Sequence, residues 1–163
     1  QFREVSAKSN YLIFSGQRGN AVRVSWKVKG VASKSSRPKE AHSFDFPVVV
    51  PGVGTFKMRL KMRCTNKWIS LFLIHSPHPS NCKSLPIKLV GSKITVVAPI
   101  EEDYVKSFGG GDVITTAGCG LGWPQAIRIE DLSDYLHDDD YFLIHTEVVL
   151  GGGVDRVELR TGS

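Results

Sequence analysis

The sequence is poor in cysteine and has no long apolar run, and each absence removes a class of protein. Cys64, Cys82 and Cys119 are an odd number of cysteines at wide spacing. We therefore expect no disulfide framework and a reducing compartment, the cytoplasm or the nucleus. No apolar run approaches the ~20 residues that span a bilayer, so we expect no membrane segment.

Motifs for catalysis and for bound cofactors are also missing. There is no Gly-x-Ser-x-Gly elbow, and the Gly109-Gly110-Gly111 run lacks the following Lys-Ser/Thr of a phosphate loop. The spacing of His75, His78 and Cys82 suits zinc, but no fourth ligand is nearby. Residues 138–140 are acidic without the alternating ligands and glycine of a calcium loop. We interpret both segments as turns. We expect that the chain is not an enzyme and that it binds no metal and no cofactor.

The start of the chain lacks an initiating Met and the architecture of a signal peptide. We therefore expect a piece of a longer protein. No coiled-coil heptads are visible, so a segment that makes a trimer or dimer would lie outside this sequence.

The remaining composition is typical of one folded domain, with 163 residues, 41% hydrophobic and 23% charged. We divide the chain into a polar N-terminal extension (1–20), a folded domain (21–150) and a C-terminal tail (151–163).

Period-two alternation of apolar and polar residues is the main local pattern. It predicts strands at residues 22–28 and 56–63, and the nearly continuous apolar stretch 68–74 is typical of a central strand. We predict a hairpin about Gly91-Ser92 within residues 85–100, and a loop over 101–111.

The C-terminal third mixes patterns. Residues 113–116 are a short β-like segment, and Gly118 to Trp123 is a glycine-rich loop. Ile129, Leu132 and Leu136 share one face of a short helix, an acidic turn follows, and residues 141–150 form a strand. The whole pattern predicts an all-β, antiparallel sandwich of about eight strands with one short helix.

Five segments in order resemble a MATH domain, the TRAF-like β-sandwich. They are the Trp26 strand, Ser43 to Phe46, Phe56 to Leu60, Ile69 to Leu73, and a C-terminal half that carries Gly120-Leu121-Gly122-Trp123, residues 127–132 and residues 135–139. The last two segments are the most specific.

The resemblance implies a peptide receptor that acts as an adaptor, in signalling or beside ubiquitin-ligase machinery. Its ligand would be a short, acidic or phosphorylated segment of another protein, added to an exposed edge strand. The binding residues that the resemblance implies are Lys61, Arg63, Phe72, Val113, Ile114, Thr115, Thr116, Gly118, Leu121 and Trp123. The chain departs from the family at Leu121, where an aromatic is common, and at Arg63, where the TRAF subgroup has tyrosine.

Charge is divided unequally along the chain. Residues 1–63 hold 13 Lys and Arg against 3 acidic residues, and residues 101–163 hold 4 against 13. If strands from the two ends pair, much of this asymmetry is neutralised internally; if they lie apart, the N-terminal half presents a basic surface.

The basic row, which we define as Lys57, Arg59, Lys61 and Arg63, leaves three interpretations open. It binds an acidic peptide, it binds nucleic acid, or it is a solvated sheet face. Nucleic acid is the weakest, because no aromatic residues interleave the row and the C-terminal acids would repel phosphate. The alternative to peptide recognition is an assembly subunit of a larger particle, docking through this row on an acidic surface or on nucleic acid.

Overall fold

The computed structural model describes residues 2–5, 10–76, 87–100, 102–108, 113–115, 120–138 and 140–151. These residues form twelve strands, more than the predicted eight. In chain order they are β1 (Phe2–Val5), β2 (Asn10–Arg18), β3 (Ala21–Val28), β4 (Glu40–His42), β5 (Phe46–Val50), β6 (Gly54–Cys64), β7 (Trp68–His75), β8 (Ile87–Val96), β9 (Tyr104–Phe108), β10 (Val113–Thr115), β11 (Gly120–Arg128) and β12 (Phe142–Leu150). A 3₁₀ helix spans Ile129–Tyr135.

The strands make two antiparallel sheets, which confirms the all-β prediction. The seven-stranded sheet has the order β1-β2-β3-β12-β8-β10, with β9 also on β8. The five-stranded sheet has the order β11-β7-β6-β4, with β5 also on β6. In the described part of the chain, no helix is long and apolar enough to cross a membrane.

The core lies between the sheets and follows directly from the alternation. In β6, Phe56, Met58, Leu60 and Met62 are buried, while the basic residues between them point away from the core. Trp26 of β3 and Phe142 of β12 are fully buried from the other sheet. Because successive strand residues point to opposite faces, one apolar face on each sheet is enough to build the core.

The predicted hairpin about Gly91-Ser92 is wrong. Residues 87–96 form the single strand β8, and the chain turns later to pair β9 with β8. The pairing of β8 with β12 shifts register between Val149 and Leu150, opposite Gly91 and Leu89. The glycine therefore accommodates an irregularity inside a strand. The predicted loop 101–111 contains β9, whose described side chains are mostly exposed and so give no apolar alternation.

The N-terminal segment also differs from the prediction of a polar extension. Residues 10–18 form β2, which pairs with β3 and buries Leu12. The register shifts between Phe14 and Gly16, and Gly16 has a φ of 113°. This irregularity interrupts the period of two and hides the strand in the sequence. The predicted C-terminal tail lies outside the described residues beyond Gly151.

The short helix and the acidic turn are present as predicted. Leu132 is the buried residue of the 3₁₀ helix. In the turn, the Asp140 carboxylate accepts a hydrogen bond from the Gly30 amide at 3.1 Å, and its carbonyl accepts one from the Val31 amide at 3.1 Å. The turn thus fixes the start of the loop after β3, and Val31 is buried there.

Candidate functional site

The candidate site begins on the outer face of the five-stranded sheet. Lys61 of β6 lies opposite Phe72 of β7, and Phe72 lies opposite Gly122 of β11. Strand alternation puts all three on the side away from the core. The structure therefore brings together Lys61 and Phe72, as the sequence predicts, and adds Gly122 to the row.

Lys61 already has a partner within the chain. Its Nζ lies 3.0 Å from a Glu40 carboxylate oxygen, and the His42 Nε2 lies 3.1 Å from the same oxygen. Hydrogen bonds from Lys61 and then from His42 lower the pKa of Glu40. The Lys61 Nζ is also 5.9 Å from the centre of the Phe72 ring, at the edge of cation–π range.

Arg63 is the more available of the two predicted cations. It pairs in register with Glu40, yet among the described residues it forms no ion pair, and it is exposed at the end of the basic row. The Glu40 carboxylate is engaged by Lys61 instead. Arg63 can therefore meet an incoming carboxylate or phosphate without first breaking an ion pair with a described residue.

Gly122 is required by its own neighbours. A Cβ there would clash with the Leu71 carbonyl oxygen and would lie 2.7 Å from Cδ1 of Phe72. The Phe72 ring thus leans over the glycine backbone of the adjacent strand. The space beside the Gly122 backbone is therefore partly filled by β7.

Leu121 and Trp123 point to the inner side. They pair with the buried Leu73 and Leu71, and both are partly buried against the core. Residues 120–123 belong to β11 and are not the predicted loop. Trp123 therefore packs at the edge of the core, and part of its surface stays exposed.

The predicted edge segment lies in the other sheet. Residues 113–115 form β10, which pairs on one side with residues 87–89 of β8 and ends the seven-stranded sheet. Thr116 and Gly118 lie outside the described residues. Four residues connect β10 to β11, which ends the five-stranded sheet, so the two terminal strands lie at one side of the sandwich. We call β10 and β11 together the rim.

The opposite side of the sandwich is closed. The Gln17 side-chain amide of β2 donates to the Val49 carbonyl of β5 at 2.7 Å and accepts from the Val49 amide at 2.8 Å. This pair of bonds imitates a strand partner for β5 and links the two sheets. An edge strand whose N–H and C=O groups are already bonded in this way is a poor template for pairing with a strand of another chain.

Of the predicted His75, His78 and Cys82 group, the structure describes His75 alone. The side chain of His75 is buried beside Phe56, while His78 and Cys82 lie outside the described residues. Among the described residues no group of three or more His, Cys, Asp or Glu could hold a metal. Burial raises the pKa of the Cys64 thiol to about 11, so it is protonated at neutral pH.

One pair was not predicted from sequence. Ser25 Oγ lies 2.6 Å from His145 Nδ1 on the outer face of the seven-stranded sheet, where β3 and β12 pair. Glu147, two residues along, bonds to Arg23 at 2.7 Å. The histidine is exposed, and among the described residues no carboxylate bonds to its other nitrogen, so the pair lacks the oriented base of a catalytic triad.

Comparison of the sequence with models of known protein families and with curated protein sequences finds no match.

Proposed function

We propose that this chain is a protein-interaction module that binds a short extended segment of a partner protein at the rim. The observation that carries the proposal is the contrast between the two sides of the five-stranded sheet. On the opposite side, β5 is bonded by Gln17 and β4 has only three residues, whereas the nine-residue β11 has a strand partner on one side alone among the described residues. An edge strand with unpaired N–H and C=O groups accepts a guest strand.

The ligand would continue the five-stranded sheet beyond β11. This strand has nine residues, against three in β10, and it belongs to the sheet that carries Lys61, Arg63 and Phe72. A ligand side chain on the outer face meets no side chain at Gly122, so it can reach the edge of the Phe72 ring. Acidic ligand groups are favoured by the cations of this sheet, above all Arg63 of β6, two strands from β11.

The resemblance to MATH domains supports the same proposal. It adds an adaptor role in signalling or in the ubiquitin pathway of the cytoplasm, through segments outside this sequence. It also places the ligand on an edge strand beside basic and aromatic residues.

A peptide library tests which surface binds. We expect discrete binders whose affinity falls at least ~10-fold when Lys61→Glu is combined with Arg63→Glu, since hydrogen bonds to charged groups are worth ~1.5–3 kcal/mol. The control combines Lys93→Glu with Lys106→Glu in β8 and β9, which makes the same change of charge on the other sheet. Equal losses in both variants, with binding to any polyanion, would support the alternative assembly subunit instead.

N-methylated ligands test the main-chain pairing. Along an added strand, alternate residues bond to the edge, so N-methylation should abolish binding at one parity and be tolerated at the other. Tolerance at every position would contradict strand addition, even if the peptide binds.

A further inference from the structure

A second concave surface lies at the end of the sandwich, away from Gly122. It is a hollow of about 590 Å³ between the loop after β3 and the turn from β6 to β7. Its lining includes Lys34, Arg37, Lys39, Cys64, Asn66 and Ile129, and no acidic side chain.

The walls of this hollow are fixed by backbone hydrogen bonds. The Cys64 amide donates to the Lys39 carbonyl at 2.9 Å, and the Ile129 amide donates to the Lys67 carbonyl at 2.8 Å. The loop is braced from inside as well, because Ser36 Oγ donates to the Gly30 carbonyl at 2.9 Å. The surface is therefore built before any ligand arrives.

Arg37 is held in position by main-chain acceptors. Its Nε donates to the Val31 carbonyl at 2.9 Å, and its Nη2 donates to the Ala32 carbonyl at 3.2 Å. These bonds leave the charge of the guanidinium uncompensated and its remaining N–H groups available. Val31 is fully buried, so the acceptors that hold Arg37 are themselves anchored.

The acidic residues nearest to the hollow in sequence already bond to other side chains. Glu40 binds Lys61 and His42, and Glu130 bonds to Arg128. Among the described residues, the cations at positions 34, 37 and 39 form no ion pair. Three positive charges thus surround one hollow without a counter-charge from the described part of the chain.

We propose that this hollow binds a phosphate monoester carried by a phosphoserine or phosphothreonine of a partner protein. A phosphate monoester brings close to two negative charges and three acceptor oxygens, which match the three cationic side chains that line the hollow better than a carboxylate does. The basic hollow is recessed and local, and the acidic residues Glu130 and Asp131 follow Ile129 directly. An extended polyanion such as nucleic acid or an anionic bilayer would meet those acids.

Paired peptide arrays, phosphorylated and unphosphorylated, test the proposal on the intact chain. We expect a subset of peptides to bind in the phosphorylated form alone, with O-phosphoserine and inorganic phosphate competing weakly. Lys34→Ala combined with Lys39→Ala should weaken these binders at least ~10-fold, because each charge-assisted contact is worth about a factor of ten. Among the described residues, neither lysine side chain forms a hydrogen bond or an ion pair, so the thermal unfolding midpoint should not move.

Controls separate this site from other sources of binding. Lys93→Ala combined with Lys106→Ala makes the same charge change on the other sheet and should leave phosphopeptide binding intact. Phe72→Ala should also leave it intact, which makes the outcome independent of the aromatic contact proposed for the ligand beside β11. The proposal is overturned if phosphorylation makes no difference, if both double variants lose binding equally, or if single-stranded DNA or phosphatidylserine vesicles bind as well as the phosphopeptides.

Discussion

At the scale of single residues, Gly122 shows how closely the strands of the five-stranded sheet approach. Its missing side chain allows the Phe72 ring to cover the backbone of β11 while Leu71 stays in register. Gly122→Ala must displace a backbone carbonyl, so we expect a loss of about 1–3 kcal/mol in the free energy of unfolding. Denaturant unfolding measures it. Gln125→Ala, at an exposed position of the same strand, should change little, and equal effects would contradict the close approach.

Cys64 makes a prediction about alkaline pH. Burial raises the pKa of its thiol from 9.0 to about 11. Between those values the unfolded chain has released the proton and the folded chain has kept it, so stability falls as pH rises. We expect Cys64→Ala to flatten the decrease in the free energy of unfolding between pH 9 and 11. The same pH dependence is measured for Tyr104→Phe, because burial and the nearby Tyr135 raise the pKa of Tyr104 as well.

At the scale of elements, strands with an apolar face were predictable and irregular strands were not. In β3 and β6 the alternation continues without interruption, because one face is buried along the whole strand. In β2 and β8 a glycine accompanies a shift of register, and the local pattern then imitates a coil or a turn. Turn chemistry alone cannot distinguish a glycine in a hairpin from one in a bulge.

The candidate site was predictable where it depends on alternation. Lys61 and Phe72 face the same side because each lies in a regular strand. Trp123 points inward because it lies in the strand β11. The glycine-rich composition of that segment predicted a loop instead. The Ser25–His145 pair and the basic hollow depend on which strands and loops become neighbours, and that information is long-range.

Gln17 is an element-scale connection, because it joins the edge of β5 to the other sheet. Gln17→Ala removes two hydrogen bonds to Val49, so we expect a loss of about 1–2 kcal/mol in stability. Gln17→Glu keeps the acceptor but places a carboxylate oxygen against the Val49 carbonyl, so it should not restore that stability. Amide hydrogen exchange at Val49 should accelerate in the alanine variant and not in Ser15→Ala. Unchanged exchange would show that the clamp does not protect the β5 edge.

At the scale of the whole molecule, the two interpretations of the charge asymmetry each hold on a different sheet. On the seven-stranded sheet, β3 from the basic half pairs with β12 from the acidic half, and Arg23 meets Glu147. On the five-stranded sheet, the described acids compensate the cations less completely, since Arg63 and the basic hollow have no described ion pair. The first sheet pairs Arg23 with Glu147, and the second leaves basic side chains without a described counter-charge, which is the surface that we propose a partner contacts.

This division predicts different costs for reversing a charge on each sheet. Glu147→Arg would place a cation between Arg23 and Lys93, which both lie opposite it in register, and should destabilise more than Arg23→Glu. A double-mutant cycle should give a coupling of about 0.2–1 kcal/mol for this exposed pair. The coupling should shrink near 1 M salt, where the Debye length is ~3 Å.

Lys34→Glu in the basic hollow should change the free energy of unfolding little, because no described acid pairs with Lys34. A loss of stability as large as that of Glu147→Arg would mean that the hollow has a structural role and is not a binding surface for a partner.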